Sequence, residues 1–135
     1  MRKYKENEEF LFKLLKLSFF EDLELCKDEM SRYDCYSDKH GYIIELKCRN
    51  THYDTLRLEK IKYDSLIEIA NEKLYIPLYA NETTKGVFVF NLFEIEPVWT
   101  EEYNPKTTSF SNRQMIKKWV YDIPIKDAST IFNKY

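Results

Sequence analysis

Glycine is almost missing from this chain of 135 residues, which has two, Gly41 and Gly86. A loop that cradles phosphate needs glycines close together, so P-loop and dinucleotide-binding readings lose their support. Cysteine is scarce as well, with three residues at 26, 35 and 48. Their number is odd and no pair has CxxC spacing, which points to reduced thiols in a cytoplasmic setting. The two histidines, His40 and His52, have no ligand-like spacing and read as loop residues. No apolar run is long enough to span a membrane, and the N-terminus shows no apolar core of signal-peptide type. A strong charge imbalance is absent too. Lys and Arg total 21 against 23 Asp and Glu, a net charge of −2. That is not the charge of a general nucleic-acid coat protein. It still allows a local basic patch beside an acidic site.

What is present describes a globular chain. Apolar residues make up 44%, charged residues 33% and aromatics 16%. The length suits one domain over residues 1–135 with a sizeable core. No internal repeat or low-complexity tract interrupts it.

The most informative stretch runs from Arg32 to Arg49. It reads as two strands, about 31–37 and 42–48, around the turn Asp38-Lys39-His40-Gly41, where Gly41 is free to take positive φ. The second strand is apolar except for Glu45 and Lys47, charges that need compensation if buried. With a four-residue turn, Ser37 faces Tyr42, Tyr36 faces Ile43, Cys35 faces Ile44 and Asp34 faces Glu45. Opposed residues lie about 5 Å apart on one face. Lys47, two residues past Glu45, joins that face. Two carboxylates that close repel unless a cation sits between them, and Mg²⁺ suits oxygen ligands of this kind. A slip of one residue would send Asp34 to the other side.

An Asp on one strand, ten residues, then Glu-x-Lys on the next resembles the PD-(D/E)XK nuclease superfamily. The residues that carry the likeness are Ser31-Arg32-Tyr33-Asp34 and Ile44-Glu45-Leu46-Lys47. The proline of the family name is absent; Tyr33 stands in its place. The resemblance implies a restriction-endonuclease-like fold of α+β class, with a mixed central sheet flanked by helices in the order α-β-β-α-β. It covers roughly residues 5–95, leaving a C-terminal extension over about 96–135.

The rest of the chain is consistent with that order. Residues 5–20 read as a helix with Leu11, Phe12, Leu14, Leu15, Ser18 and Phe19 on one broad face. Residues 21–30 fit either a short strand or a loop. A helix is expected over 55–72, with Arg57, Lys60, Asp64, Glu68 and Asn71 as its polar face. Strands are expected at 74–80 and 87–95 around a turn at 81–86, paired into the sheet of 42–48. Pro77 suggests an edge or a bulge there. Beyond 96, Pro97 and Asn104-Pro105 bound a loop around Trp99, residues 114–123 alternate as a strand, and 127–132 read as a terminal helical turn.

The resemblance also implies roles. Asp34, Glu45 and Lys47 would be catalytic, with Mg²⁺ or Mn²⁺ held by Asp34, Glu45 and the Leu46 backbone carbonyl. The ion would polarise a phosphodiester and activate water. Lys47 would orient that water or stabilise developing charge. The family's first helix often adds a Glu, a part open to Glu8 or Glu9, although a carboxylate in the first turn also suits the helix dipole. Glu59-x-x-x-Tyr63 has the spacing of the family's Gln-x-x-x-Tyr, with Glu for Gln. Lys62 beside it either meets a phosphate or the site carboxylates, or forms an intrahelical pair. Arg49, Arg113, Lys117 and Lys118 are candidates for the phosphate backbone, or else a solvated charged edge. The implied partner is DNA, branched or nicked forms included, cut by a small phage or bacterial enzyme, with a homodimer allowed. Two other readings stay open: a non-catalytic relative that binds nucleic acid or protein, and an unrelated α+β protein in which Glu45 and Lys47 simply pair.

Overall fold

The computed structural model describes residues 6–28, 31–105 and 115–133. Helix α1 (Glu6–Ser18) begins the chain. Its buried stripe is Leu11 and Leu15, one turn apart, while Leu17 lies 88% exposed. The stripe is narrower than the sequence suggests. The segment 21–28 resolves into a short strand, β1 (Glu24–Leu25). The hairpin follows as β2 (Cys35–Ser37) and β3 (Tyr42–Cys48). Its register is Ser37 with Tyr42, Tyr36 with Ile43 and Cys35 with Ile44, and Gly41 closes the turn at φ 75°.

The helix expected over 55–72 starts five residues later. Thr55–Glu59 forms strand β4, and α2 spans Lys60–Lys73. The cause is visible in Leu56-Arg57-Leu58. Both leucines are 1% exposed while Arg57 points to the other face, which is strand alternation. The partner strand β8 (Met115–Pro124) sets Asp122 opposite Arg57. The Arg57 guanidinium grips that carboxylate with two bonds of 2.8 and 3.0 Å. Helical propensity yields to this pairing.

Strands β5 (Ile76–Thr83) and β6 (Gly86–Asn91) come next. The turn expected at 81–86 shrinks to Thr84 and Lys85. Asn81, Glu82 and Thr83 belong to the strand and are buried. Polar partners keep them there: Arg49 bonds Asn81, and His52 bonds Thr83. Pro77 is not at an edge, since β5 lies between β3 and β6. Ile76 donates to Gly41 on the β3 side, so the nitrogen of Pro77 faces β6, whose pairing begins only at Leu78. The missing donor therefore costs no ladder bond.

Residues expected outside the core complete two sheets. β7 (Thr100–Pro105) is a strand where a loop was expected, and β9 (Thr130–Asn133) replaces the expected helical turn. β9 docks on β6 because position 86 is glycine. A Cβ there would stand 2.1 Å from the Phe132 carbonyl oxygen. The larger sheet has the order β1-β2-β3-β5-β6-β9, with β3 and β5 parallel and the other neighbours antiparallel. The smaller sheet is β4-β8-β7. Helix α1 covers one face of the larger sheet over Ile44, Leu46, Ala80 and Val87. Helix α2 and the small sheet cover the other face over Ile43, Tyr79, Phe88 and Phe90.

Candidate active site

Two alternations bring the candidate residues together. Along β3, Ile44 and Leu46 turn to the α1 side, so Ile43, Glu45 and Lys47 turn to the α2 side. Along β5, Tyr79 lies laterally beside Glu45, and Asn81 beside Lys47. The polar members sit at the carboxyl ends of these two parallel strands, the usual place for a site in such sheets. There α2 and the small sheet stand away from the larger sheet. The cleft between them has a volume of about 300 Å³ and is lined by Glu45, Lys47, Arg49, Glu59, Lys62 and Lys118, among others.

Asp34 reaches Glu45 because the β2–β3 ladder stops at Cys35. The Asp34 N–H donates to the Ile44 carbonyl at 2.9 Å. The Leu46 N–H then finds the Asp34 carboxylate, Oδ2 at 2.7 Å, instead of a main-chain acceptor. A side chain thus replaces the next rung and is held against β3. The peptide groups of a strand alternate in direction, so the Leu46 carbonyl lies on this same side of β3. Asp34 is 8% exposed.

Glu45 carries the electrostatic strain of the site. Burial, then the neighbouring Asp34 carboxylate, push its carboxyl up from 4.5 to about 7. Lys62 opposes the shift, its Nζ 3.4 Å from Glu45 Oε2. Of the alternatives for Lys62, the meeting with a site carboxylate is the one observed.

Arg49 ties the floor of the cleft together. It donates to Asn81 Oδ1 at 3.1 Å, to the Arg57 carbonyl at 2.8 Å and to the Tyr79 hydroxyl at 3.0 Å. The Tyr79 hydroxyl donates to the same Arg57 carbonyl at 2.9 Å, and burial pushes its phenol up to about 12. This network fastens β3, β5 and β4 at the point where the cleft opens. Arg57, Tyr79 and Asn81 escaped the reading of the sequence. The alternation of 55–59 was the available signal for Arg57. Nothing local marks Asn81.

The other candidates disperse. Glu59 is not on a helix; it precedes α2 in extended conformation and pairs with Lys118 at 3.1 Å across the cleft. The helical spacing expected of Glu59 and Tyr63 therefore does not hold. Tyr63 packs edge-on against Trp99, ring centroids 5.3 Å apart. On α1, Glu9 pairs with Lys13 at 3.0 Å, and neither Glu8 nor Glu9 lines the cleft. Lys117 and Lys118 are neighbours on β8 and so face opposite ways. Lys117 reaches Glu101 at 3.7 Å, outside the cleft. Arg113 lies outside the described residues. A separate group, Glu21, Asp22 and His40, brings its ligand-type atoms within 4.8 Å of one another. It pins the segment before β1 to the hairpin turn: Glu21 binds Lys39 and His40, and Asp22 accepts from Ser37.

Two carboxylates beside a main-chain carbonyl form a hard oxygen donor set. It fits Mg²⁺ or Mn²⁺, and a cation there would relieve the state that burial and Asp34 force on Glu45.

No family model matches the chain, and no curated protein matches its sequence. Among solved structures it matches Hjc, a Holliday junction resolvase from the archaeal hyperthermophile Archaeoglobus fulgidus. The TM-score is 0.53 at 12% identity, over 87% of this chain and 84% of that one. At such identity the match speaks for the fold, which is the restriction-endonuclease-like arrangement of a mixed sheet between two helices. Among the described residues, no helix is long and apolar enough to cross a membrane.

Proposed function

We propose that this chain is a metal-dependent nuclease that hydrolyses phosphodiester bonds in DNA, with Asp34, Glu45 and Lys47 as its catalytic residues. One observation carries the reading: the Asp34 carboxylate is held by the Leu46 N–H at 2.7 Å, against the strand that bears Glu45 and Lys47. Asp34, Glu45 and the Leu46 carbonyl would hold Mg²⁺ or Mn²⁺. The ion, when bound, supplies Lewis-acid polarisation of the phosphate and a water of lowered pKa. Asp34 and Glu45 fix the donor geometry, since one is locked by a main-chain bond and the other is wedged beside it. Lys47, two residues on and on the cleft side, supplies positive charge for the phosphate oxygens or orients the attacking water. Arg49 and Tyr79 are positioning residues, holding the strand ends that carry this set. Lys118 and Lys62 place further positive charge around the cleft. The shared fold with a Holliday junction resolvase makes branched DNA the first substrate to try; a homodimer is the assembly to look for.

Lys62 favours a second reading. Its ammonium already compensates Glu45, as a metal would. A binding module without catalysis would be content with that pair. Cutting assays on linear, nicked and branched DNA separate the two readings. Mg²⁺-dependent cutting that Asp34→Asn and Lys47→Ala both abolish supports the nuclease. Binding of DNA with no cutting under Mg²⁺ or Mn²⁺ supports the module.

A further inference from the structure

A second groove opens beside the cleft. β4 pairs with β8 only as far as Glu59 with Val120, whereas β8 continues to Met115. The overhanging part of β8 therefore faces the first turn of α2 across a gap. That gap has a volume of about 620 Å³ and is walled by Trp99, Trp119, Ile61 and Ile116, with Lys60, Lys117 and Lys118 around it. Trp119 is 49% exposed and Ile61 83% exposed. Apolar side chains so exposed on an otherwise charged surface need an occupant.

Continuity indicates which one. Glu59, Ile61 and Lys118 line both this groove and the catalytic cleft. A strand that lays a phosphate in the cleft can extend across these shared residues to the indoles. We propose that the groove takes an unstacked nucleobase of the substrate, next to the phosphate that is cut. This inference rests on the nuclease reading and narrows it: the substrate class is DNA with unpaired nucleotides at the cutting point, such as a flap, a tail or a branch. Base stacking on aromatic side chains tolerates any sequence, because every base has a π-face. The rim suits the accompanying phosphate. Lys60 lies 6.0 Å from the Trp99 ring centroid and pairs with Asp64 at 2.6 Å; Lys118 pairs with Glu59 at 3.1 Å. The exposed Lys60–Asp64 pair holds its partners weakly and releases the lysine to a phosphate.

The test is binding in EDTA, where nothing is cut, to a blunt duplex and to the same duplex with a single-stranded tail carrying 2-aminopurine. The tail is expected to quench the tryptophan emission and to bind more tightly than the blunt duplex. Trp119→Ala should weaken the tailed complex about tenfold and leave the blunt complex unchanged, and Trp119→Phe should restore most of the loss. Ile61→Ala, at an exposed helical site, should act in the same direction without unfolding the chain. Equal losses on both duplexes, or none, overturn the inference. So does a wild-type dimer in sedimentation that Trp119→Ala turns into a monomer, since the groove would then seat a second copy. The underlying reading is judged separately. If Mg²⁺ promotes no cutting but the tail effect holds, the nuclease fails and the groove stands. If cutting depends on Asp34 but tailed and blunt DNA bind alike, the groove fails alone.

Discussion

The two faces of the larger sheet are built from the same strands and share almost nothing else. Toward α1, β3 presents Ile44 and Leu46, which meet Leu11, Leu15, Ala80 and Val87 in an apolar layer, with Glu82 and Ser37 as its buried polar members. Toward α2, the same strand presents Ile43, Glu45 and Lys47, and β5 presents Tyr79 and Asn81. The difference lies in the cover. α1 closes its face, so a charge beneath the helix would be desolvated and need its own partner. α2 and the small sheet close the other face at one end only and leave a cleft at the carboxyl ends of β3 and β5. One face is closed over an apolar core, and the other leaves charged side chains open to a cleft.

The largest effect should come from the cleft face, and on rate alone. Asp34→Asn keeps an oxygen to accept from the Leu46 N–H but removes a charge from the donor set. Metal-dependent cutting should fall by about 10³-fold or more in single-turnover assays, if the ion contributes several kcal/mol to the transition state. The melting temperature should move little. An unchanged rate would break the comparison at its root. The mirror experiment is Leu15→Ala on the α1 face. It should cost about 2–5 kcal/mol in denaturant unfolding, as cavities in tight cores do. Cutting per folded molecule should be retained.

That contrast also explains what the sequence disclosed. The hairpin and its register over Cys35–Ser37 follow from a four-residue turn and the period of a strand, both local quantities. The expected strand pair of Asp34 with Glu45 does not form, because β2 begins only at Cys35. Asp34 comes beside Glu45 through its bonds to Ile44 and Leu46 instead. The restriction-endonuclease-like class was what the resemblance to the nuclease family implied, and the structural match bears out that fold. The small sheet was not legible, because its strands define one another over long range. Thr55–Glu59 becomes a strand through Asp122, more than sixty residues on. Thr130–Asn133 becomes one because the other glycine, Gly86, admits it. Asn81 looked like a turn residue for the same reason: its partner Arg49 comes from another element. The catalytic candidates were readable and the walls around them were not.

A smaller effect separates the faces by pH. In the unfolded chain Glu45 has its ordinary value of 4.5, and in the fold it is held at about 7. Between these values the folded state keeps a proton that the unfolded state has lost. The contribution to stability is thus fully present below pH 4.5 and is lost as pH rises through 7. Unfolding in EDTA should show stability decreasing over that window, and Glu45→Gln should flatten the slope. Added Mg²⁺ should stabilise more at pH 8 than at pH 5 and release a proton on binding near neutral pH, measurable by calorimetry in buffers of different ionisation enthalpy. A slope that persists in Glu45→Gln would place its origin elsewhere.

The smallest effect concerns two adjacent lysines. Lys118 points into the cleft with a side chain 15% exposed, and Lys117 points away with 54% exposed, paired to Glu101. If the cleft receives the phosphate backbone, Lys118→Ala should weaken DNA binding and lower the salt slope of the affinity by about one. Lys117→Ala should change both less, since Lys117 lines the neighbouring groove and not the cleft. Composition cannot distinguish these two residues; only the alternation of β8 does. Equal salt slopes for the two variants would mean that DNA approaches across the open edge of the small sheet, and the two sides of β8 would lose their distinction.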